Sequence, residues 1–485
     1  MAKSVKVNYM LSLFDIVMGI AFPLITLPYV TRILSPDNIG HVHFYLNILS
    51  YITLLTALGI PLYGVREIAK NRNDEKSRNK VAIEILLLHL ILTIFAYIIV
   101  FILCITVAKI KEDIPLFAVL SISLFFSTIG VSWFFQAIED FKYITLRSLL
   151  VKIISLILLF SLVKSKSDIL WYGVVLVGGS VGNNVFNLVR LNKYIKREDF
   201  DRNLNPLKHI QPACKVFVLN LTIGIYTQLS VFLLGFLQTD AAVGYYTMAQ
   251  KIVAVLNSIV LALTTVLLPR LSNYIGNNQQ EEFKVLGNKA LSFVLAISLP
   301  VCAGLITLSR PIVMVLFGEQ YKPSIIVLVI WAPILTIIGL SQIYGKSLLY
   351  STGHEMLMAL CTAIGMIVYL IVGIPGIIYY SIVGASVGSF AAEFAVTGSM
   401  MLLGRNYHPC SCFRKYNLSY LVASLLMGIS IYCCIHYLND PLTQLIIGIP
   451  IGIVVYMYIL KALKSSFYTE VSSILKNMIK IHEHN

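Results

Sequence analysis

The sequence predicts an all-α polytopic membrane protein of about fourteen transmembrane helices, and three observations lead there. Of its 485 residues, 58% are hydrophobic and only 12% are charged, roughly half the charged fraction that a soluble chain of this size carries. Mean hydropathy is +0.83. Apolar runs of about 20 residues recur along the whole chain, each long enough for a ~30 Å hydrocarbon core. Lysine and arginine collect in alternate connections between those runs, the pattern of loops that alternate across a membrane.

The first run, 9–31, continues past Pro23 and Pro28 to Leu34 with no small-residue cleavage site. It reads as a spanning helix and not as a secretory signal. The 41–63 run ends in LGIPLYGVRE and is followed by a basic stretch holding Arg66, Lys70, Arg72, Lys76, Arg78 and Lys80. Runs 82–107 and 114–137 come next. Between the latter and 144–163 lies WFFQAIEDFKYIT, residues 133–145. Trp133, Phe134, Phe135 and Tyr143 there fit an interfacial aromatic belt. Glu139 and Asp140 fit a cytosolic turn open to water, with Lys142 and Arg147 near enough to neutralise them. After 169–189 comes the longest polar connection, RLNKYIKREDFDRNLNPLKHIQP. The second half holds runs 214–236, 245–268 and 288–308, then a stretch at 300–323 that mixes a helix end with a short apolar re-entry. Runs 324–350, 356–374, 381–403, 417–436 and 442–461 complete the chain.

About 27 of the 37 basic residues fall in the termini and even-numbered connections, against about seven on the opposite side. Both termini are therefore expected in the cytosol. The net charge of +14 is a topology signal next to anionic lipid and not a nucleic-acid patch. The outward connections are short, which disfavours a membrane glycan polymerase or acyltransferase, since either needs catalytic His, Asp or Arg groups on an outer loop. Eight cysteines show no disulfide spacing. His408, Cys410 and Cys412 in YHPCSC can be read as metal ligands or as free thiols near a membrane surface.

A repeat crosses the middle of the chain. RILSPDNIGHVHFY followed by LTALGIPLYGVRE corresponds to LGFLQTDAAVGYYTMAQ followed by TTVLLPRLSN. Leu34 and Asp37 match Leu237 and Asp240, Gly40 matches Gly244 with one insertion, and Pro61 matches Pro269. Each copy would hold six helices, so both run the same way through the membrane, a transporter design with substrate between the halves. The expected organisation is an N-terminal bundle at 1–195, a cytosolic linker at 196–213, a second bundle at 214–405, and two extra helices with a cytosolic tail at 406–485.

In order and spacing, LPYVTRILSPDNIG, LGIPLYGVREIAK, WFFQAIEDFKYIT, GYYTMAQKI and PILTIIGLSQIYG resemble the polysaccharide flippases of the Wzx (RfbX) type. That superfamily also holds the MATE exporters and the lipid II flippases. The resemblance implies a V-shaped pair of six-helix bundles, two further C-terminal helices, and a place in the bacterial cytoplasmic membrane. It implies export of undecaprenyl-diphosphate-linked oligosaccharide units by alternating access, for O-antigen, capsule or another surface polysaccharide. A polysaccharide polymerase and a chain-length regulator are the partners it implies, beside the lipid substrate and membrane lipids. No enzyme chemistry and no cofactor is expected, with H+ or Na+ as the coupling ion. Lipid II flippases carry additional arginines early in the chain, whereas this sequence has Arg32 and few others in its first two spans. A MATE-type pocket for organic cations would want acids and aromatics, and mid-span carboxylates are scarce here.

Moving a diphosphate and sugars through hydrocarbon needs fixed positive charge and polar side chains inside the spans. Lys251 matches a position where lipid II flippases carry a cavity arginine; snorkelling to the surface is its other reading. Lys152 and Lys346 divide between the same two readings. Arg32 and Arg310 are helix-end cations or attractors for the diphosphate. Asp15 and Glu393 are the candidate ion-coupling carboxylates, because a carboxylate in a dry site can alternate between protonated and ionised forms. Glu84 reads as a surface residue. Asn257 and Gln342 are the candidate sugar contacts, with Asn47, Asn183, Asn184, Asn220, Gln228 and Gln250 beside them; helix–helix hydrogen bonding is the alternative for each.

Overall fold

The computed structural model describes residues 5–196, 204–407, 410–412, 417–465, 467–469 and 472, and every regular element among them is helical. Contacts divide the chain into two compact units, Met1–Gly244 and Tyr245–Asn485.

The first unit begins with α1 (Val5–Ile33), which carries Pro23 and Pro28 in its interior. Ser35 caps α2 (Pro36–Ala57) by accepting the Asn38 amide at 3.3 Å. Leu58 and Gly59 then take φ of 46° and 71° and break the chain before α3 (Ile60–Lys70). The 41–63 run is thus two helices, because two successive left-handed residues cannot continue a right-handed one. Asp74 caps α4 (Glu75–Thr106). The single turn α5 (Ala108–Lys111) leads to α6 (Ile114–Ile129), α7 (Ser132–Ala137), α8 (Phe141–Leu162) and α9 (Ile169–Leu191). After a 3-10 turn at Pro206–His209, α10 (Ile210–Leu237) packs on α2 and α3.

Which way each helix faces follows from its polar side chains, since hydrocarbon and protein interior are equally apolar. In α4, Asn79, Glu84, His89 and Thr93 are buried, while Ile94, Phe95, Ile98 and Phe101 are exposed on the other face. The 133–145 stretch departs from expectation. Trp133 is 4% exposed and Phe134 and Phe135 are 0% exposed. They sit in a core with Ile60, Tyr63 and Ile85 and form no surface belt. The short α7 lies against α3, where Gly64 leaves room for the Trp133 ring; a Cβ there would stand 2.8 Å from it. The acids are answered from other helices. Arg72 pairs with Glu139 at 3.0 Å, and Arg190 pairs with the buried Asp140 and lies over the Tyr143 ring at 4.0 Å. Lys142 is exposed, and Arg147 bonds Asn187.

The long helix α11 (Asp240–Gly276) passes from the first unit into the second. There follow α12 (Gln280–Leu316), α13 (Ser324–Ser341) with a π-helical extension Gln342–Leu349, α14 (Glu355–Gly404), α15 (Leu418–Ile435) and α16 (Pro441–Ala462). The expected re-entry at 300–323 is absent: α12 runs through Pro300 and Pro311 to Leu316. Helix α14 bends back at Ser381, φ 49°. Its two arms meet on glycine, where a Cβ on Gly384 would lie 1.8 Å from the Gly376 carbonyl oxygen. Cys410 and Cys412 are buried in the second unit and form no disulfide among the described residues, the Cys412 amide donating to Tyr344 at 3.0 Å; His408 lies outside the described residues.

Ten helical stretches among the described residues are long and apolar enough to cross a bilayer. Each apolar run read from the sequence is helical for most of its length; 41–63 divides between α2 and α3, 114–137 between α6 and α7, and 356–374 and 381–403 fall on the two arms of α14.

Candidate functional site

In the first unit, Arg32 is exposed in the last turn of α1. Lys152 is half-buried, eleven residues past Phe141 in a helix of 22, and so sits at the middle of α8. The side chain of Asp15 falls outside the described residues. In the second unit, Lys251 is half-buried eleven residues past Asp240, about 16 Å along α11 at 1.5 Å per residue. Both lysines thus stand a turn deeper than the apolar runs alone suggested, because α8 and α11 start earlier.

Two hydrogen bonds and a ring contact tie together the helices of the second unit. Tyr246 bonds Ser389 at 2.9 Å, joining α11 to α14, and its ring meets Trp331 of α13 edge-on at 5.6 Å. Thr397 donates to the Ile337 carbonyl at 3.2 Å, joining α14 to α13. Further along, Leu271 of α11 and Met400 of α14 share one core, so the two helices run the same way. Lys251 lies five residues beyond Tyr246 and the half-buried Glu393 four beyond Ser389, about 7 and 6 Å along their helices. The two are therefore level. Asn257 is a further six residues along α11 and about 120° round from Lys251. Gln342 opens the π-helical turn, a distortion common at functional sites, and Lys346 is exposed one turn later.

The amides separate into two kinds. Asn47 donates to the Gln228 side chain at 2.8 Å and so ties α2 to α10. Asn184 packs against Gly130. The buried side-chain oxygens of Asn47, Asn183, Asn257 and Gln342 meet no hydrogen-bond partner among the described residues, though Asn47 is held through its amide nitrogen. Buried polar oxygens of that kind await water or a ligand. Gln250 is half-buried, and the Asn220 side chain lies outside the described residues.

Glu84 is no surface residue. It is 0% exposed and receives the Asn205 amide at 3.0 Å, Lys208 at 2.6 Å and His209 Nε2 at 3.1 Å. Tyr63 and His209 Nδ1 are 2.7 Å apart. With Nε2 donating to the carboxylate, Nδ1 accepts from the tyrosine and the ring is neutral. Burial holds the His209 imidazole below its ordinary value, against the opposing pull of Glu84. These partners lie 121 or more residues from Glu84 in sequence, beyond the reach of any hydropathy window.

The repeat also acquires a geometry. Thr239 caps α11 as Ser35 caps α2, each hydroxyl accepting the amide three residues on at 3.3 Å. The caps set an offset of 204, pairing Gly40 with Gly244 without an insertion and Pro36, not Asp37, with Asp240. A Cβ on Gly40 would stand 1.7 Å from the Asp240 carbonyl oxygen, and one on Gly244 would stand 2.2 Å from the Pro36 carbonyl oxygen. The two helix starts therefore cross by a local pseudo-two-fold in which equivalent glycines meet equivalent carbonyls.

Residues 8–275 match the polysaccharide biosynthesis protein family. The chain is 27% identical over 387 residues to a candidate O-antigen transporter of Shigella dysenteriae, covering 78% of this chain and 95% of that one. An Escherichia coli K12 protein of the same description is 24% identical over 395 residues, covering 80% and 94%. Among solved structures, the lipid II flippase MurJ in its inward closed conformation aligns with a TM-score of 0.74 at 17% identity, covering 96% of this chain and 99% of that one. An inward-facing MATE multidrug transporter of the MOP superfamily aligns at 0.63 and 17% identity, covering 79% and 93%. The two solved structures speak to the fold alone, and the matched length settles the family: the chain belongs to the polysaccharide biosynthesis protein family.

Proposed function

We propose that this protein is a flippase that carries polyprenyl-diphosphate-linked oligosaccharide from the cytosolic to the outer leaflet by alternating access, with both termini in the cytosol. The observation that carries the reading is the depth of Lys152 and Lys251, each eleven residues inside its helix. A lysine so far from either end is costly in lipid and is retained where it meets an anion or water. A diphosphate supplies the anion, which an ammonium binds as a point charge. The unsatisfied amide oxygens of Asn257 and Gln342 suit sugar hydroxyls, which are donors. Arg32 and Lys346 stand at helix ends, where they can draw or release the headgroup. Glu393, level with Lys251, and Asp15 are the coupling carboxylates for H+ or Na+. No covalent bond changes, so no catalytic group is assigned. The six-helix division at 1–195 and 214–405, and delivery of the product to a polymerase and chain-length regulator, belong to the same proposal.

The test is reconstitution into liposomes with a fluorescent polyprenyl-diphosphate oligosaccharide, scoring label that becomes accessible to an added reagent. Lys251→Ala is expected to slow transbilayer movement at least tenfold. Movement at the wild-type rate in that protein would remove Lys251 from the pathway.

A further inference from the structure

The end of the first unit that the basic-residue count places outside holds a cluster of charged side chains that the transport reading does not use. His41 lies in the second turn of α2, next to Gly40. Its Nδ1 is 2.8 Å from Asp240 Oδ2, and its Nε2 is 3.8 Å from Asp113 Oδ2. Lys109 Nζ stands 2.5 Å from Asp240 Oδ1, donates to the Gly235 carbonyl at 2.7 Å, and lies 4.6 Å over the Phe44 ring. The Tyr45 hydroxyl donates to the Lys109 carbonyl at 2.8 Å, and its ring is 4.4 Å from that of His41. Glu112 ends α5 beside this group, and Asp37 is exposed on α2. His41 is 15% exposed and its two carboxylate partners 21% and 32%. The ring is therefore sheltered yet within reach of solvent protons.

We propose that His41 is a proton-binding site whose occupancy fastens the start of α11 to α2 and to the α5–α6 turn. A neutral imidazole donates from one nitrogen only, whereas the imidazolium donates from both and can hold Asp240 and Asp113 together. Among His41, Lys109, Asp113 and Asp240, two carboxylates against one ammonium leave a single negative charge when the ring is neutral. One proton on His41 cancels it. The crossing of Gly40 and Gly244 lies in the same turn and admits no side chain, so the contact that the proton secures is a tight one. Placed at the outer end, the site exchanges its proton with the outer medium. It reads outside pH and differs in this from the coupling carboxylates. Acid outside favours the fastened state, and alkali outside loosens it. The inference rests on the inside–outside assignment of the transport proposal for the word "outside", and on the geometry alone for the fastening.

Spin labels at Asp37 and Gln238, in full-length protein with its native cysteines replaced and set in lipid nanodiscs without substrate, read the fastening by pulsed dipolar spectroscopy. The short-distance population is expected to rise at least threefold between about pH 8 and about pH 5, and His41→Gln is expected to abolish that response. Asp113→Asn keeps the Asp240 contact and is expected to reduce the response. A wild-type distribution that ignores pH, or a His41→Gln protein that responds as wild type does, overturns the proposal. Because no substrate is present, failure here leaves the transport reading untouched, and failure of transport leaves this measurement valid.

Discussion

Replacing Glu84 by alanine tests whether the buried carboxylate anchors the end of the inter-repeat connection. The side chain is 0% exposed and takes three donors, from Asn205, Lys208 and His209. Removing one partner of a fully buried ion pair costs about 3–5 kcal/mol. Lys208 is 45% exposed and can turn to water, so its share of that cost shrinks toward the surface value of about 0–1 kcal/mol. His209 is 5% exposed and the Asn205 amide loses its acceptor; each such orphaned donor costs about 1–3 kcal/mol. Together these come to about 2–7 kcal/mol, which at about 2–4 °C per kcal/mol for a unit this size lowers the melting temperature by at least about 4 °C. Scanning fluorimetry of the purified protein measures the shift, and mild trypsin treatment reports release of the 204–209 segment as faster cleavage at Lys208. Glu84→Gln, which keeps the acceptor oxygen, should fall between. If Glu84→Ala melts within a degree of wild type and Lys208 is cut no faster, the carboxylate anchors nothing and the argument fails.

Gly40→Ala places a methyl group 1.7 Å from a backbone oxygen, which no side-chain rotation relieves, so the helix starts must part. Transport in the liposome assay should drop at least tenfold, and an unchanged rate would show that the crossing is dispensable. Asn257→Leu and Gln342→Leu remove oxygens that bond nothing among the described residues, so melting should stay within about 1 kcal/mol of wild type while transport falls. Loss of stability with transport intact would make them structural. The depressed His209 pKa, caused first by burial, means that the folded chain binds fewer protons than the unfolded one as pH falls through the unfolded value of about 6.5. Its contribution is present above that pH and is lost below it; His209→Gln should flatten the acid limb of the melting-temperature profile.

The fold was largely legible because a spanning helix is a local property. Twenty apolar residues identify it wherever their neighbours lie. The pattern at Leu34, Asp37, Gly40 and Pro61 is equally local, and its recurrence at Leu237, Asp240, Gly244 and Pro269 suggested the repeat before any coordinate; the hydroxyl caps at Ser35 and Thr239 came from the structure. The π-helical distortion at Gln342 and the positive φ of Ser381 were not visible, since both depend on what packs beside them.

The site was legible only in part, and the missing part has one cause. An apolar side chain gives no sign of whether it faces lipid or protein, so Trp133, Phe134 and Phe135 passed for a surface belt until α3 was seen beside them. A polar side chain inside a span is costly in lipid wherever its partner lies, which is why Lys152, Lys251 and Glu393 stood out in the sequence as candidates. Its partner, however, can lie on any helix. Glu84 with His209, Asn47 with Gln228, and His41 with Asp240 are 125, 181 and 199 residues apart. The sequence alone determined which polar groups fall within the apolar runs. The tertiary structure decided which of them satisfy one another, because Coulomb attraction and hydrogen bonding act through space at a few ångströms, with no memory of chain order.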